Sequence, residues 1–180
     1  MSIIQNLSEV SDVYLGTNTI SSIYAGTDEI YSGQQELPWT QPVLSANGTI
    51  GGNAFACAAS SVGYNNVWNA FDNNTNTFVW LNQSPQWIEW YNPNPLKISK
   101  VRFTSQMGGV QNGNLQFSDD GITWTNIYSI NHSGSGYMNL TMDITNLTNS
   151  HKYWRIYVLA GGLMNSPDFS EITITATQIV

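Results

Sequence analysis

The chain has 180 residues, 41% of them hydrophobic and 12% aromatic, but only 9% charged, and its 5 Lys plus Arg against 12 Asp plus Glu leave a net charge of −7. So few cations exclude phosphate-rich partners, because nucleic-acid and anionic-surface binding rest on Lys and Arg. The single cysteine, Cys57, excludes an internal disulfide and a cysteine-built zinc site.

The first residues, Met1-Ser2-Ile3-Ile4-Gln5-Asn6, lack the basic region and apolar stretch of a secretory signal, and no run is apolar enough to span a membrane. The expectation is a protein made in a cytoplasm, with neither nucleic acid nor an inserted membrane segment as partner. Residues 1–36 form a first section built on an internal echo. Val13-Tyr14-Leu15-Gly16-Thr17-Asn18-Thr19-Ile20 recurs ten residues on as Ile23-Tyr24-Ala25-Gly26-Thr27-Asp28-Glu29-Ile30. Each copy is a β-prone run, a Gly-Thr-Asn/Asp turn and a second β-prone position, which predicts an arm of hairpins. Hairpins alone bury little surface, so this arm predicts anchoring or oligomerisation. Gly33-Gln34-Gln35-Glu36-Leu37-Pro38 reads as the linker to a second domain spanning 37–180.

From Trp39 onward no helical periodicity stands out, and short β patterns recur between turn clusters. Val101 and Phe103 alternate with Lys100, Arg102 and Thr104. Leu115-Gln116-Phe117, Ser118-Asp119-Asp120-Gly121 and Ile122-Thr123-Trp124 read as strand, turn and strand. Tyr153 to Leu159 reads as a central strand, and Ile172, Ile174 and Ala176 alternate with threonines as a half-buried one. The fold class is therefore all-β, an antiparallel sandwich or jelly roll. Trp87, Trp90, Trp124 and Trp154 lie in strand patterns and are expected in the core.

The order of motifs resembles a known family. Asn69-Ala70-Phe71-Asp72-Asn73-Asn74-Thr75-Asn76-Thr77 leads to Trp80. Pro85 to Trp90, Pro95 to Phe103, Ser118 to Trp124, Tyr153 to Ile156 and Phe169 to Ile172 follow in turn. The succession, over roughly Trp39 to Gln178, is similar to the discoidin or coagulation-factor C-type domain, a galactose-binding-like family rich in carbohydrate-binding modules. The resemblance implies an antiparallel jelly-roll sandwich with binding loops at one end. It also implies one structural Ca2+ held by Asn69, Asp72, Asn74, Thr77, Ser170 and Glu171. Oxygen donors of these types suit that ion. Asn73 stands where the family has Gly, and one extra residue separates Thr77 from Trp80; Asn is the side chain that best tolerates a left-handed backbone after Gly. The alternative reading of this stretch is an Asp/Asn-rich loop closed by its own hydrogen bonds. Separately, the Tyr-x-Gly-Thr-x-x-Ile units resemble segments near the ends of bacteriophage tail and other virion proteins.

Nothing in the sequence assembles a catalytic constellation. His132 and His151 read as loop or surface histidines, Cys57 as a buried inert thiol, and Asp119-Asp120 as a turn. Neutral-sugar recognition suits the composition better, since aromatic faces stack on sugar C–H surfaces and amides bind hydroxyls. The loop candidates are Tyr64, Asn65, Asn66, Asn82, His132 and Tyr137, with Gln83, Gln111, Asn112, Met164 and Asn165 beside them. The expected protein is non-enzymatic, a virion component whose sandwich binds host-surface glycan and whose residues 1–36 contact other virion proteins in a homo-oligomer, by analogy a trimer. The alternative is a capsid-decoration or baseplate part that uses the sandwich for protein contacts.

Overall fold

The computed structural model describes residues 14–15, 18–19, 22–25, 28–32, 36–107, 109–133, 136–161 and 165–179. The chain divides into two compact units, Met1–Leu37 with Ile179–Val180, and Pro38–Gln178.

In the first unit β1 (Tyr14–Leu15) pairs antiparallel with β2 (Asn18–Thr19), and β3 (Ser22–Ala25) with β4 (Asp28–Ser32). The strands flank Gly16-Thr17 and Gly26-Thr27, which fall outside the described residues, so the two sequence copies are two hairpins. β5 (Glu36–Trp39) follows. Glu36, Leu37 and Pro38 are therefore strand, not linker.

The second unit continues with β6 (Ala56–Ala59), β7 (Val62–Tyr64), a 3-10 turn over Val67–Phe71, β8 (Val79–Leu81) and β9 (Gln86–Ser105). Then come β10 (Val110–Ser118), β11 (Thr125–Asn131), β12 (Met138–Asp143), β13 (His151–Gly161), β14 (Asp168–Phe169) and β15 (Glu171–Ile179). The main ladder runs β11-β10-β13-β9-β15-β5, with β6 and β12 also paired to β9.

β9 belongs to both layers of the sandwich. Its first part, Gln86 to Tyr91, pairs with β13 on one side and β6 on the other. Its second part pairs with β15 from Leu96 to Thr104 and with β12 from Lys100 to Ser105. Between them lies Asn92-Pro93-Asn94-Pro95. Proline has no N–H to give a ladder, and opposite this stretch the β13 register jumps from Tyr153 to His151. Asn92 Nδ2 donates to the Asn94 carbonyl at 2.7 Å and closes the corner.

The core lies between the layers. Trp154, Ile156 and Val158 on β13 are fully buried and alternate with half-buried Tyr153, Arg155 and Tyr157. Ile172, Ile174 and Ala176 on β15 alternate with exposed Thr173 and Thr175, as the period-2 pattern predicts. Trp90, Phe103, Leu115 and Phe169 complete the centre.

Three expectations are corrected. β11 starts at Thr125, not Ile122, because Asp120 organises a longer turn: its Oδ1 accepts the N–H of Ile122 at 2.8 Å and of Thr123 at 2.7 Å. These bonds hold its carboxyl well below the usual range. Trp124 thus lies outside the strands and, like Trp87, is half-buried; the Arg155 guanidinium sits 4.1 Å from the Trp124 ring centre. His151 is buried rather than on the surface. Its ring stacks on Phe117 at 3.7 Å, and Nδ1 lies 2.9 Å from Asp119 Oδ1.

The edge of β15 is completed by a side chain. Gln41 Nε2 donates to the Ile172 carbonyl at 2.8 Å, and Gln41 Oε1 accepts the Ile174 N–H at 2.7 Å. Gln41→Ala orphans one donor and one acceptor, so it should lower unfolding stability by about 1–3 kcal/mol in urea melts. On the outer face of β9, Glu89 is almost completely buried opposite Arg155. Burial pushes its carboxyl up to about 7, with Arg155 pulling the other way. The folded form then holds a proton that the unfolded chain releases near pH 4.5, so stability falls as pH rises from 4.5 to 7, by up to roughly 3 kcal/mol from this group. Glu89→Gln should make that slope shallower in thermal melts across the same window.

Candidate functional site

A three-stranded sheet, β14-β8-β7, carries the loop end of the second unit. Val62 pairs with Leu81 and Tyr64 with Trp80, with an irregularity at Gly63, while Asp168 pairs with Trp80 from the other side. The run Phe78-Val79-Trp80-Leu81 alternates: Val79 and Leu81 are buried, and Phe78 and Trp80 only half-buried. The two outward aromatics meet Tyr64, which is 60% exposed. The Tyr64 and Phe78 rings lie 5.9 Å apart at 36°. Together with Gly63, Leu81, Asn82 and Ser166 they wall an open cavity of about 410 Å3.

Local chemistry fixes these walls. Asn65 takes a left-handed backbone (φ 63°) and donates its Nδ2 to the Phe78 carbonyl at 2.9 Å, which ties the two aromatic segments together. Asn82 Nδ2 donates to Ser61 Oγ. A Cβ on Gly63 would lie 2.9 Å from Asn82 Oδ1, so only glycine lets that oxygen approach the backbone. Asn165, also left-handed (φ 58°), accepts the Gly161 N–H at 3.1 Å and presents Ser166 to the cavity.

Of the ligand residues expected from sequence, Tyr64 and Asn82 line this cavity. Asn65 supports it from behind. Asn66 precedes the 3-10 turn, and its carbonyl accepts the Asn69 N–H at 3.1 Å. His132 and Tyr137 are exposed but do not line the cavity, and the His132 N–H is bonded to the Gln111 carbonyl at 2.8 Å. Gln111 and Asn112 lie within β10, not in a loop. Met164 falls outside the described residues. Phe78, Trp80 and Ser166 were missed; the first two lie in an apolar run too short to signal which side chains face outward.

Beneath the loops, Asp72, Asn74, Thr77 and Glu171 converge. Asp72 Oδ1 and Glu171 Oε2 both accept the Asn74 N–H, at 3.0 and 3.1 Å. The Thr77 hydroxyl donates to Asp72 Oδ2 and to the Asn74 carbonyl, each at 2.7 Å. Asn73, standing where the resemblance expects Gly, has φ 56°. Burial, and secondarily the Asp72 charge, push the Glu171 carboxyl up to about 7 against the backbone N–H groups that stabilise its charge. Asn69 Oδ1 and Ser170 Oγ are buried with no hydrogen-bond partner among the described residues. Two carboxylates on one N–H, with amide, hydroxyl and carbonyl oxygens on the same two segments, make a donor set that fits a hard cation. Among the described residues no three His, Cys, Asp or Glu side chains gather, so such a site would lean on amide, hydroxyl and carbonyl oxygens. The self-bonded loop is the same geometry without an ion.

A third network anchors the loop after β9. Buried Asp168 accepts Ser105 Oγ–H and the Gln106 N–H at 2.7 Å, Met107 N–H at 3.3 Å and Gly109 N–H at 3.1 Å. Gln106 in turn donates to the Thr75 carbonyl at 2.9 Å. Three reactive side chains are engaged structurally: burial pushes the Cys57 thiol up to about 12, and Asp120 and His151 are held as described above.

No family model matches the chain, and neither does any curated protein. Solved structures do. A family 32 carbohydrate-binding module of Clostridium perfringens NanJ, in complex with galactose, is 15% identical with a TM-score of 0.59, over 67% of this chain and 93% of that one. A second Clostridium perfringens module, CBM32-5, in complex with GalNAc-β-1,3-galactose, is 18% identical with a TM-score of 0.59, over 67% and 94%. Chitosan-binding module 1, from a chitosanase/glucanase of Paenibacillus sp. IK-5, is 20% identical with a TM-score of 0.59, over 68% and 95%. At these identities the likeness is one of fold: the second unit is a sandwich of the discoidin, galactose-binding-like type found in carbohydrate-binding modules.

Proposed function

We propose that this protein is a non-enzymatic bacteriophage virion component, made in the host cytoplasm, whose sandwich binds host-surface carbohydrate during adsorption. The observation that carries the reading is the cavity at the loop end, where Tyr64, Phe78 and Trp80 surround an amide and a hydroxyl. Exposed aromatics around a few polar groups are the composition of a small-ligand site. Structural neighbours bound to galactose and to GalNAc-β-1,3-galactose support the ligand class. The paired hairpins of residues 14–32 support an arm for attachment to other virion proteins or for a homo-oligomer such as a trimer. Many copies would raise avidity over a weak single site. Tyr64→Ala removes a ring that is 60% exposed and borders Phe78 and Trp80. It should leave the melting temperature unchanged and weaken binding to host cells and glycan arrays about tenfold, the equivalent of ~1.4 kcal/mol. Unaltered binding would refute the site.

The reading includes one structural Ca2+ beneath the loops, held by Asp72 and Glu171 carboxylates with Asn69, Asn74, Thr77 and Ser170 oxygens. The ion would supply charge neutralisation to two carboxyls that share one N–H, and would fix the loop that delivers Phe78. A hundredfold excess of Ca2+ over Kd should add about 2.7 kcal/mol of stability, or roughly 5–10 °C for a domain of this size. Chelator should reverse the shift and Asp72→Ala abolish it. An absence of calorimetric heat together with an unmoved melting point would leave the loop closed by its own hydrogen bonds.

A further inference from the structure

The described walls of the cavity lie in residues 63–64, 78–82 and at Ser166. None of these is an Asp, Glu, Lys, Arg or His. In a chain with 5 Lys plus Arg and 12 Asp plus Glu, the described walls are thus uncharged throughout. The five cations lie elsewhere. Lys97, Lys100 and Arg102 are on β9, and Lys152 and Arg155 on β13. Lys100 Nζ is 3.5 Å from Asp143, and Arg102 Nε donates to Asn139 Oδ1 at 2.8 Å. Arg155 is bonded to Gln116 and lies against the Trp124 and Tyr157 rings. None of them lines the cavity.

Resting on the reading of this cavity as a glycan site, we infer that its ligand is a neutral saccharide unit, and that acidic and amino sugars are both discriminated against. The two inclined rings, Tyr64 and Phe78, offer apolar faces to a sugar's C–H surface and to an uncharged substituent beside it. Asn82 Nδ2 gives one N–H to Ser61 Oγ, and its second N–H and its Oδ1 are a donor and an acceptor for hydroxyls. Ser166 offers a second neutral partner. A uronate carboxylate placed here would shed water without meeting a cation, a cost that only pairing or strong hydrogen bonding offsets. It would also approach a chain of net charge −7. A glucosamine ammonium meets no carboxylate in the walls, so its only attraction is the long-range field, largely screened at ~0.15 M salt. Specificity here comes from leaving a charged competitor unpaired as much as from contacts to the right one.

The test uses matched pairs on the full chain, by calorimetry at about pH 5.5, where uronates are ionised and glucosamine amines carry a proton, and ~0.15 M salt. Galactose oligosaccharides are compared with galacturonate oligosaccharides, and N-acetylglucosamine oligomers with glucosamine oligomers of equal length. The expected result is binding within the neutral set at least about tenfold tighter than to the charged counterpart, a gap of ~1.4 kcal/mol. Neutral-sugar affinity should also be insensitive to added salt. Charged oligomers that bind as tightly as their neutral partners would overturn this inference and leave the glycan reading standing. Silence of both sets, followed by silence on a mixed array of neutral and acidic glycans, would overturn the glycan reading and this inference with it.

Discussion

Asn92-Pro93-Asn94-Pro95 imposes the constraint on which the rest of the sandwich depends. A strand of 20 residues pairs with β13 and β6 before these four residues and with β15 and β12 after them, so they let it leave one layer and enter the other. The prolines withhold the N–H groups that would have prolonged the first ladder. Both hydrophobic faces are thereby set by one continuous segment: Ile88 and Trp90 belong to one face, Val101 and Phe103 to the other. Because side chains alternate strictly along a strand, a slip of one residue on either side of the corner would turn a whole face outward. The register of β6, β12, β13 and β15 follows from that single geometry.

The loop end is stiffened by buried polar networks rather than by regular ladders. Asp168 gathers four donors from the segment 105–109, and its strand neighbour is Trp80 of the cavity. Gln106 links that segment to Thr75, inside the loop that Asp72 and Thr77 close. Asn65 links the other flank to Phe78. The cavity therefore sits on backbone held by charge-assisted bonds in a shielded setting, where such bonds are strongest. These networks tie the loops beside the cavity to the short strands β7 and β8 that carry most of its walls.

The fold was legible in the sequence where a period-2 pattern met a buried face. β13 and β15 were found that way, and the Gly-Thr echo located both hairpins. Turn boundaries were less legible, because Asp120 recruits the N–H groups of Ile122 and Thr123 and lengthens a turn that Asp-Gly alone suggests is tight. Trp124 was misplaced for the same reason. Its partner, Arg155, is 31 positions away, and no local pattern encodes that contact. His151 looked like a loop residue because polar neighbours surround it in sequence, whereas in space its ring stacks on Phe117. Of the cavity walls, the sequence singled out Tyr64 and Asn82 as an aromatic and an amide beside turn-rich stretches, and Tyr64 in fact ends strand β7. Phe78 and Trp80 lie in an apolar run too short for the sequence to say which of its side chains face outward. His132 and Tyr137 share those loop features, yet the cavity takes its walls from other segments.

The amide of Gln41 mimics one more peptide unit at Ile172 and Ile174, and this bears on how many copies could crowd together. An open strand edge is a template on which a second sheet can grow, and natural β proteins blunt such edges to avoid polymerising. A side-chain amide satisfies the bare donor and acceptor yet offers no onward chain to continue the sheet. Threonines at 173 and 175 keep the flanking surface polar. A protein displayed at high local density would otherwise be most exposed to edge-to-edge zippering. At this stretch of β15 one glutamine leaves no bare peptide groups on which a second sheet could grow.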